Sequence, residues 1–169
     1  MLNILIDSNV ILDVMMVREP FFEMSKKVIA LAENNLVNAY ISAASVTDIY
    51  YISRRQLRDK NLVLNLIKNL RKVVKVAAVS EKEIDAALNL SWRDFEDAVQ
   101  YSVAKSNEMD YIITRNTKDF SGSEFSVVTP EDFPTTKNLL IFPTAGNGLG
   151  LPILFTAWEE KKIKSLQKK

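Results

Sequence analysis

Four loci in this chain carry residue types that suit a hard cation. Asp7 ends the apolar run Leu2-Asn3-Ile4-Leu5-Ile6 and leads into Ser8-Asn9-Val10-Ile11-Leu12-Asp13. Asp48 lies in Ser45-Val46-Thr47-Asp48-Ile49-Tyr50, and Asp97 stands three residues after Asp94. Asn116 and Asp119 follow Tyr111-Ile112-Ile113-Thr114-Arg115. Each has an ordinary structural reading when taken singly. Asp94 is a good N-cap, Asp97 a first-turn acid favoured by the helix dipole, and Asp48 a solvated residue on an outer stripe. Together, each at the carboxyl end of a strand or the start of a helix, they read as one carboxylate-lined pocket. Carboxylates gathered in a pocket repel unless a cation neutralises them. A pair of Mg²⁺ ions ~3.5–4 Å apart is suited to in-line attack on a phosphodiester.

The absences narrow the chemistry. The 169 residues include no histidine and no cysteine. Histidine bases, Ser-His-Asp triads, thiol nucleophiles, iron–sulfur clusters and disulfides are therefore excluded. Any catalysis runs on carboxylates, hydroxyls, lysines or a bound hard metal, and oxygen-only ligands suit Mg²⁺ or Mn²⁺. A net charge of +1 argues against holding nucleic acid by bulk electrostatics, although a local basic face is compatible with it. The first apolar run is too short for a signal peptide, and no segment approaches the ~20 apolar residues of a membrane span. The expectation is a cytoplasmic protein with no membrane partner.

The elements that would position these residues alternate in type. Residues 3–6 read as a first strand, with a helix opening on Asp7 or Ser8. Helical spacing runs from Phe21 to Glu33 (Phe22, Val28, Ile29, Ala32). Asn38 to Ser42 reads as a second strand. Ala44 to Arg54 reads as a helix with Val46, Ile49, Tyr50 and Ile52 mostly inward. Asn61 to Lys72 is a leucine-rich helix, followed by a third strand from Val73 to Val79. Ser80-Glu81-Lys82-Glu83 carries a capping-box signature, and Asp94-Phe95-Glu96-Asp97 opens a helix that runs to about Asn107. Tyr111 to Thr114 and Ser126 to Thr129 complete the strands. The fold class is α/β: three layers, with a central, mostly parallel sheet of four to five strands covered on both faces. An open sheet of this kind places its site at the carboxyl edge of the strands.

All four glycines lie at or after Gly122, and three of them (Gly146, Gly148, Gly150) fall in one stretch. That stretch lacks the spacing of a phosphate loop and reads as a turn. Residues 135–169 read as a C-terminal extension of unknown role to a core domain of residues 1–134. Arg54, Arg55, Arg58, Lys60, Lys68, Arg71, Lys72 and Lys75 form a basic run, as compatible with a solvated helix face as with an RNA track. Arg115 adjoins the expected site and is placed to meet a phosphate.

The segments Leu5 to Asp13, Ile41-Ser42-Ala43 to Tyr51, Asp94 to Ala98 and Ile112 to Phe120 together resemble the PIN domain, in that order along residues 1 to about 133. More narrowly, they resemble the bacterial PIN proteins that act as toxins of toxin–antitoxin pairs. The resemblance implies a metal-dependent endoribonuclease using Mg²⁺ or Mn²⁺, with Asp7, Asp48 and Asp97 holding the metal. It puts the fourth family position on Asn116, with Asp119 close by. Ser8 and Thr47 match positions of supporting hydroxyls, and Asn9, Asp94 and Arg115 flank the site. It further implies an RNA substrate, a homodimer and an antitoxin that reaches into the pocket. The family most often has Glu where this chain has Asp48, one methylene shorter. The alternative from another class is therefore a PIN-like module that binds RNA or a protein partner without cutting. A phosphatase using Asp7 as nucleophile ranks last, because position 9 is Asn where a second Asp is wanted.

Overall fold

The first strand is buried on both faces, as a central strand of a parallel sheet must be. In a computed structural model that describes residues 1–133 and 163–165, β1 (Leu2–Ile6) buries Ile4, Leu5 and Ile6 completely. Alternation along the strand sends Ile4 and Ile6 into one apolar core and Leu5 into another on the opposite face. Ile113 and Ile112 divide in the same way on a neighbouring strand. The sheet thus separates two helical layers.

Among the described residues five strands, all parallel, lie in the order β3-β2-β1-β4-β5. They are β1, β2 (Val37–Ser42), β3 (Lys75–Ala77), β4 (Tyr111–Ile113) and β5 (Ser126–Val128). Six α-helices connect them: α1 (Ser8–Met15), α2 (Phe22–Glu33), α3 (Ala43–Leu57), α4 (Lys60–Val73), α5 (Glu81–Leu90) and α6 (Phe95–Ser106). A 3₁₀ turn spans Thr117–Phe120. The chain builds outward from β1 to β2 and β3, then returns to lay β4 on the other side of β1. The switch point of the topology therefore falls between the carboxyl ends of β1 and β4, where open α/β sheets form their crevice.

Local chemistry explains most element boundaries. Ser42 caps α3 by accepting from the Ser45 N–H at 3.1 Å, and Asp59 caps α4 by accepting from Leu62 N–H at 2.9 Å. The expected capping box at α5 is present, with Glu83 accepting from the Ser80 N–H at 2.9 Å and from its hydroxyl. Those hydrogen bonds pull the Glu83 carboxyl down to about 2.

Two expectations need correction. The third strand spans only Lys75–Ala77, because Val73 closes α4. The helical stripe Leu62, Val63, Leu66, Leu70 continues its period to the buried Val74, so the valines extend the helix face before the strand begins. In α3 the inward line is Ser45, Ile49, Ser53 and Leu57, spaced by four. Ile52 lies about 100° off that line and is 37% exposed, while Val46 and Tyr50 are only partly buried against the core. Apart from residues 163–165, the expected C-terminal extension lies outside the described residues.

Candidate metal and phosphodiester site

Asp7 occupies the N-cap position of α1, yet its carboxylate does not cap the helix. Its carbonyl accepts from the N–H groups of Val10 and Ile11, which frees the side chain to turn into the crevice. There it is 4% exposed and held by four neutral donors. Ser8 Oγ and Gln100 Nε2 reach one carboxylate oxygen at 3.2 and 3.1 Å, and Thr114 Oγ1 reaches the other at 2.7 Å with Asn9 Nδ2 beside it. The Asp7 N–H donates to Ile113 C=O at 2.9 Å, so β1 and β4 meet directly at this residue.

Thr114 and Asn9 tie the two strand ends together. Thr114 Oγ1 accepts from Asn9 Nδ2 at 3.1 Å and from the Asn116 N–H at 3.0 Å. Asn9 Oδ1 accepts from the Arg115 N–H at 3.3 Å. The loop that carries Asn116 and Asp119 is thereby pinned beside Asp7. Gln100 and Thr114 were not among the residues expected from sequence. Gln100 does lie one turn beyond Asp97 on α6, the only signal it offered.

The acids interact across the crevice. Asp94 caps α6 as its ordinary reading requires, accepting from the N–H groups of Glu96 at 2.9 Å and Asp97 at 3.4 Å. Burial, followed by the charges of Asp7, Asp94, Asp119 and Glu96, pushes the Asp97 carboxyl up to about 7. Burial likewise raises Glu96, helped by Asp48, Asp7 and Asp94. Glu96, overlooked in the sequence, thus links Asp48 on α3 to the acids at the switch point. Among the described residues no group of three acids is drawn together closely enough to hold an ion alone.

Two flanking residues do something other than expected. Thr47 Oγ1 donates to Ala44 C=O within its own helix at 2.7 Å, the habit of a mid-helix threonine, so it supports no carboxylate. Arg115 turns away from the acids toward Asp13, which is fully buried. Its Nε lies 3.3 Å from an Asp13 carboxylate oxygen that Ser25 Oγ also approaches at 3.2 Å, and its guanidinium lies 4.3 Å from the Phe21 ring centroid. A buried carboxylate is costly unless paired, and Arg115 is the partner at hand. Burial pushes the Asp13 carboxyl up, and Arg115 and Ser25 pull it back.

A five-stranded parallel sheet between helical layers, with acids at the carboxyl ends of β1 and β4, defines a class of α/β proteins whose site lies at the switch point. Within that class the chain belongs to the PIN domain family, which it matches over residues 3–118. PIN domains are generally nucleases and typically use divalent metals. The fold is similar to that of a chain in a toxin-antitoxin complex from Klebsiella pneumoniae. The TM-score is 0.55 at 20% identity, covering 75% of this chain and 96% of that one. No curated protein matches the sequence. Among the described residues no helix is long and apolar enough to cross a membrane.

Proposed function

We propose that this protein is an Mg²⁺- or Mn²⁺-dependent endoribonuclease, acting as the toxin of a toxin–antitoxin pair. The observation that carries the reading is the gathering of acids at the switch point: Asp7, 4% exposed at the end of β1, with Asp97, Asp94, Asp119 and Glu96 near enough to raise one another's carboxyls. A site with that charge is paying for readiness to accept a cation.

The donor set fits a hard ion. Every nearby ligand atom is oxygen, and the buried Gln100 Oε1 has no hydrogen-bond partner among the described residues. Mg²⁺ is commonly held by one or two carboxylates, with water and substrate phosphate completing its shell, so three converging acids are not required. Asp7 and Asp97 are the proposed principal ligands, with Asp119, Asp48 and Asn116 at the margin. When bound, a divalent ion supplies Lewis-acid polarisation of the phosphodiester and a more acidic attacking water. The chain's own part is positional. Thr114, Asn9, Ser8 and Gln100 fix the Asp7 carboxylate, and Asp97, raised by burial and its neighbouring acids, would hold the ion in its ionised form. The family supports a nuclease, and the toxin-antitoxin fold neighbour supports an antitoxin as partner; RNA as the substrate is proposed on the family resemblance. A homodimer is proposed on the family resemblance alone.

Mn²⁺ titration by calorimetry, on wild type and Asp97→Asn together, tests this. Binding in the wild type that vanishes in the variant is expected, with proton release near pH 7. Absence of binding in the wild type, with RNA affinity retained, would favour the non-cutting module instead.

A further inference from the structure

Beside the acids lies an open cleft of about 670 Å³, lined by Trp92, Arg93, Asp94, Lys118, Asp119, Ser121 and Gly122. That volume falls within the ~300–1,000 Å³ of small-ligand pockets. Asp119 is a proposed marginal ligand, and Asp94 accepts from the Asp97 N–H at 3.4 Å, so the cleft borders the proposed ligands. Its other charges are opposite. Arg93 and Lys118 are exposed, and among the described residues neither pairs with a carboxylate.

The aromatic wall is built with care. Trp92 packs on Tyr101 at 4.9 Å and edge-on to Phe120 at 5.9 Å, which fixes its ring. Its other neighbour is the backbone of Gly122, where a Cβ would come within 2.9 Å of the indole Nε1 and 3.2 Å of Cε2 and Cζ2. Only glycine lets the chain lie that close to a ring already held from behind. Phe95, 47% exposed, stands three residues along at the start of α6.

We propose that this cleft seats one nucleotide of single-stranded RNA next to the cut phosphodiester, with Arg93 and Lys118 on its phosphates and its base against Trp92. The inference rests on the ribonuclease reading and adds the path of the substrate. A pocket of acids repels a polyanion, so the chain must be held by cations outside the acids, and these two line the adjoining cleft. An aromatic face accepts any unpaired base, which a duplex does not offer. Arg115 is committed to Asp13, leaving Lys118 in the same loop to take the phosphate role.

The test is binding of a short 5′-fluorescein oligouridylate to the full chain in an Asp97→Asn background, with wild-type cleavage followed separately. Arg93→Ala and Lys118→Ala change exposed residues and leave the fold alone. Each is expected to flatten the slope of log Kd against log salt by about 0.7, one phosphate contact on a single strand. Tryptophan emission, read with Trp158→Phe so that Trp92 reports alone, is expected to be quenched by the single strand and not by a duplex. Unchanged slopes and silent emission in a chain whose wild type cuts RNA would overturn the cleft assignment and leave the nuclease reading standing. Equal quenching by duplex would overturn the unpaired-base seat. A wild type that neither binds nor cuts RNA would overturn the nuclease reading, and the cleft assignment with it.

Discussion

Replacing Asp97 with Asn should make the metal-free protein more stable. Burial and four neighbouring acids raise its carboxyl from 3.8 to about 7. This carboxyl is neutral in both states only well below its unfolded value of 3.8, and because the unfolded state has only begun to ionise at pH 4, the substitution has little effect there. Between about 4 and 7 the folded state keeps a proton that the unfolded state has released, so rising pH favours unfolding; above 7 the full cost applies. At ~1.36 kcal/mol per pKa unit the limit for a fully desolvated group is about 4 kcal/mol. Asp97 is only half-buried, and solvent screening reduces this to roughly 1–2 kcal/mol. Asn is isosteric and loses no side-chain hydrogen bond, because among the described residues the Asp97 carboxylate accepts none. It does lose a favourable first-turn charge, worth about 0.5 kcal/mol. Desolvation and repulsion win by about 1 kcal/mol, or roughly 2–4 °C in Tm for a chain of this size. Thermal unfolding in EDTA at pH 4, 6 and 8 reads the difference, which should be near zero at pH 4 and largest at pH 8. Saturating Mn²⁺ should reverse the order, since ligand at ~100 times Kd stabilises the wild type by about 2.7 kcal/mol. A variant less stable than wild type at pH 8 in EDTA would refute the electrostatic reasoning.

Other outcomes follow from the same contacts. Thr114→Val removes the 2.7 Å donor to Asp7 and the acceptor for the Asn116 N–H. It should cost about 1–3 kcal/mol in chemical denaturation and slow RNA cleavage roughly ten- to hundredfold through a loosened Asp7. Asp13→Asn leaves Arg115 without its carboxylate; because Arg115 is about a quarter exposed, the loss should be about 1–3 kcal/mol, below that of a fully buried pair. An unchanged urea midpoint would contradict that pairing. Glu83 is held at about 2, so its contribution is present above pH 4.5 and lost as pH falls toward 2. Glu83→Gln should therefore flatten the acid limb of the stability profile, and an unaltered limb would count against the capping box.

Local signals made much of this architecture legible. The apolar Ile4-Leu5-Ile6 and the break at Asp7 made the parallel sheet and its edge readable, and the caps at Ser80 and Asp94 sit where their spacing put them. Boundaries between like residues were harder. Val73 and Val74 suit strand and helix equally, yet the stripe beginning at Leu62 carries α4 through Val73 and leaves Val74 as its extended C-cap. The polar frame of the site was the least readable part. Gln100 and Thr114 reach Asp7 across 93 and 107 residues of chain, and nothing in their neighbours announces that pairing. The position of Arg115 is hard to read for a related reason. Adjacent in sequence to the site loop, it lies against Asp13, whose burial arises from the packing of α1 on its neighbouring helices.

The most direct test of the account is cleavage of a labelled single-stranded RNA pool with Mn²⁺, run beside the same reaction in EDTA and beside Asp7→Asn. The account predicts fragments only for the wild type with Mn²⁺. Fragments that persist in EDTA or in Asp7→Asn, or a wild type that cuts nothing, would contradict it.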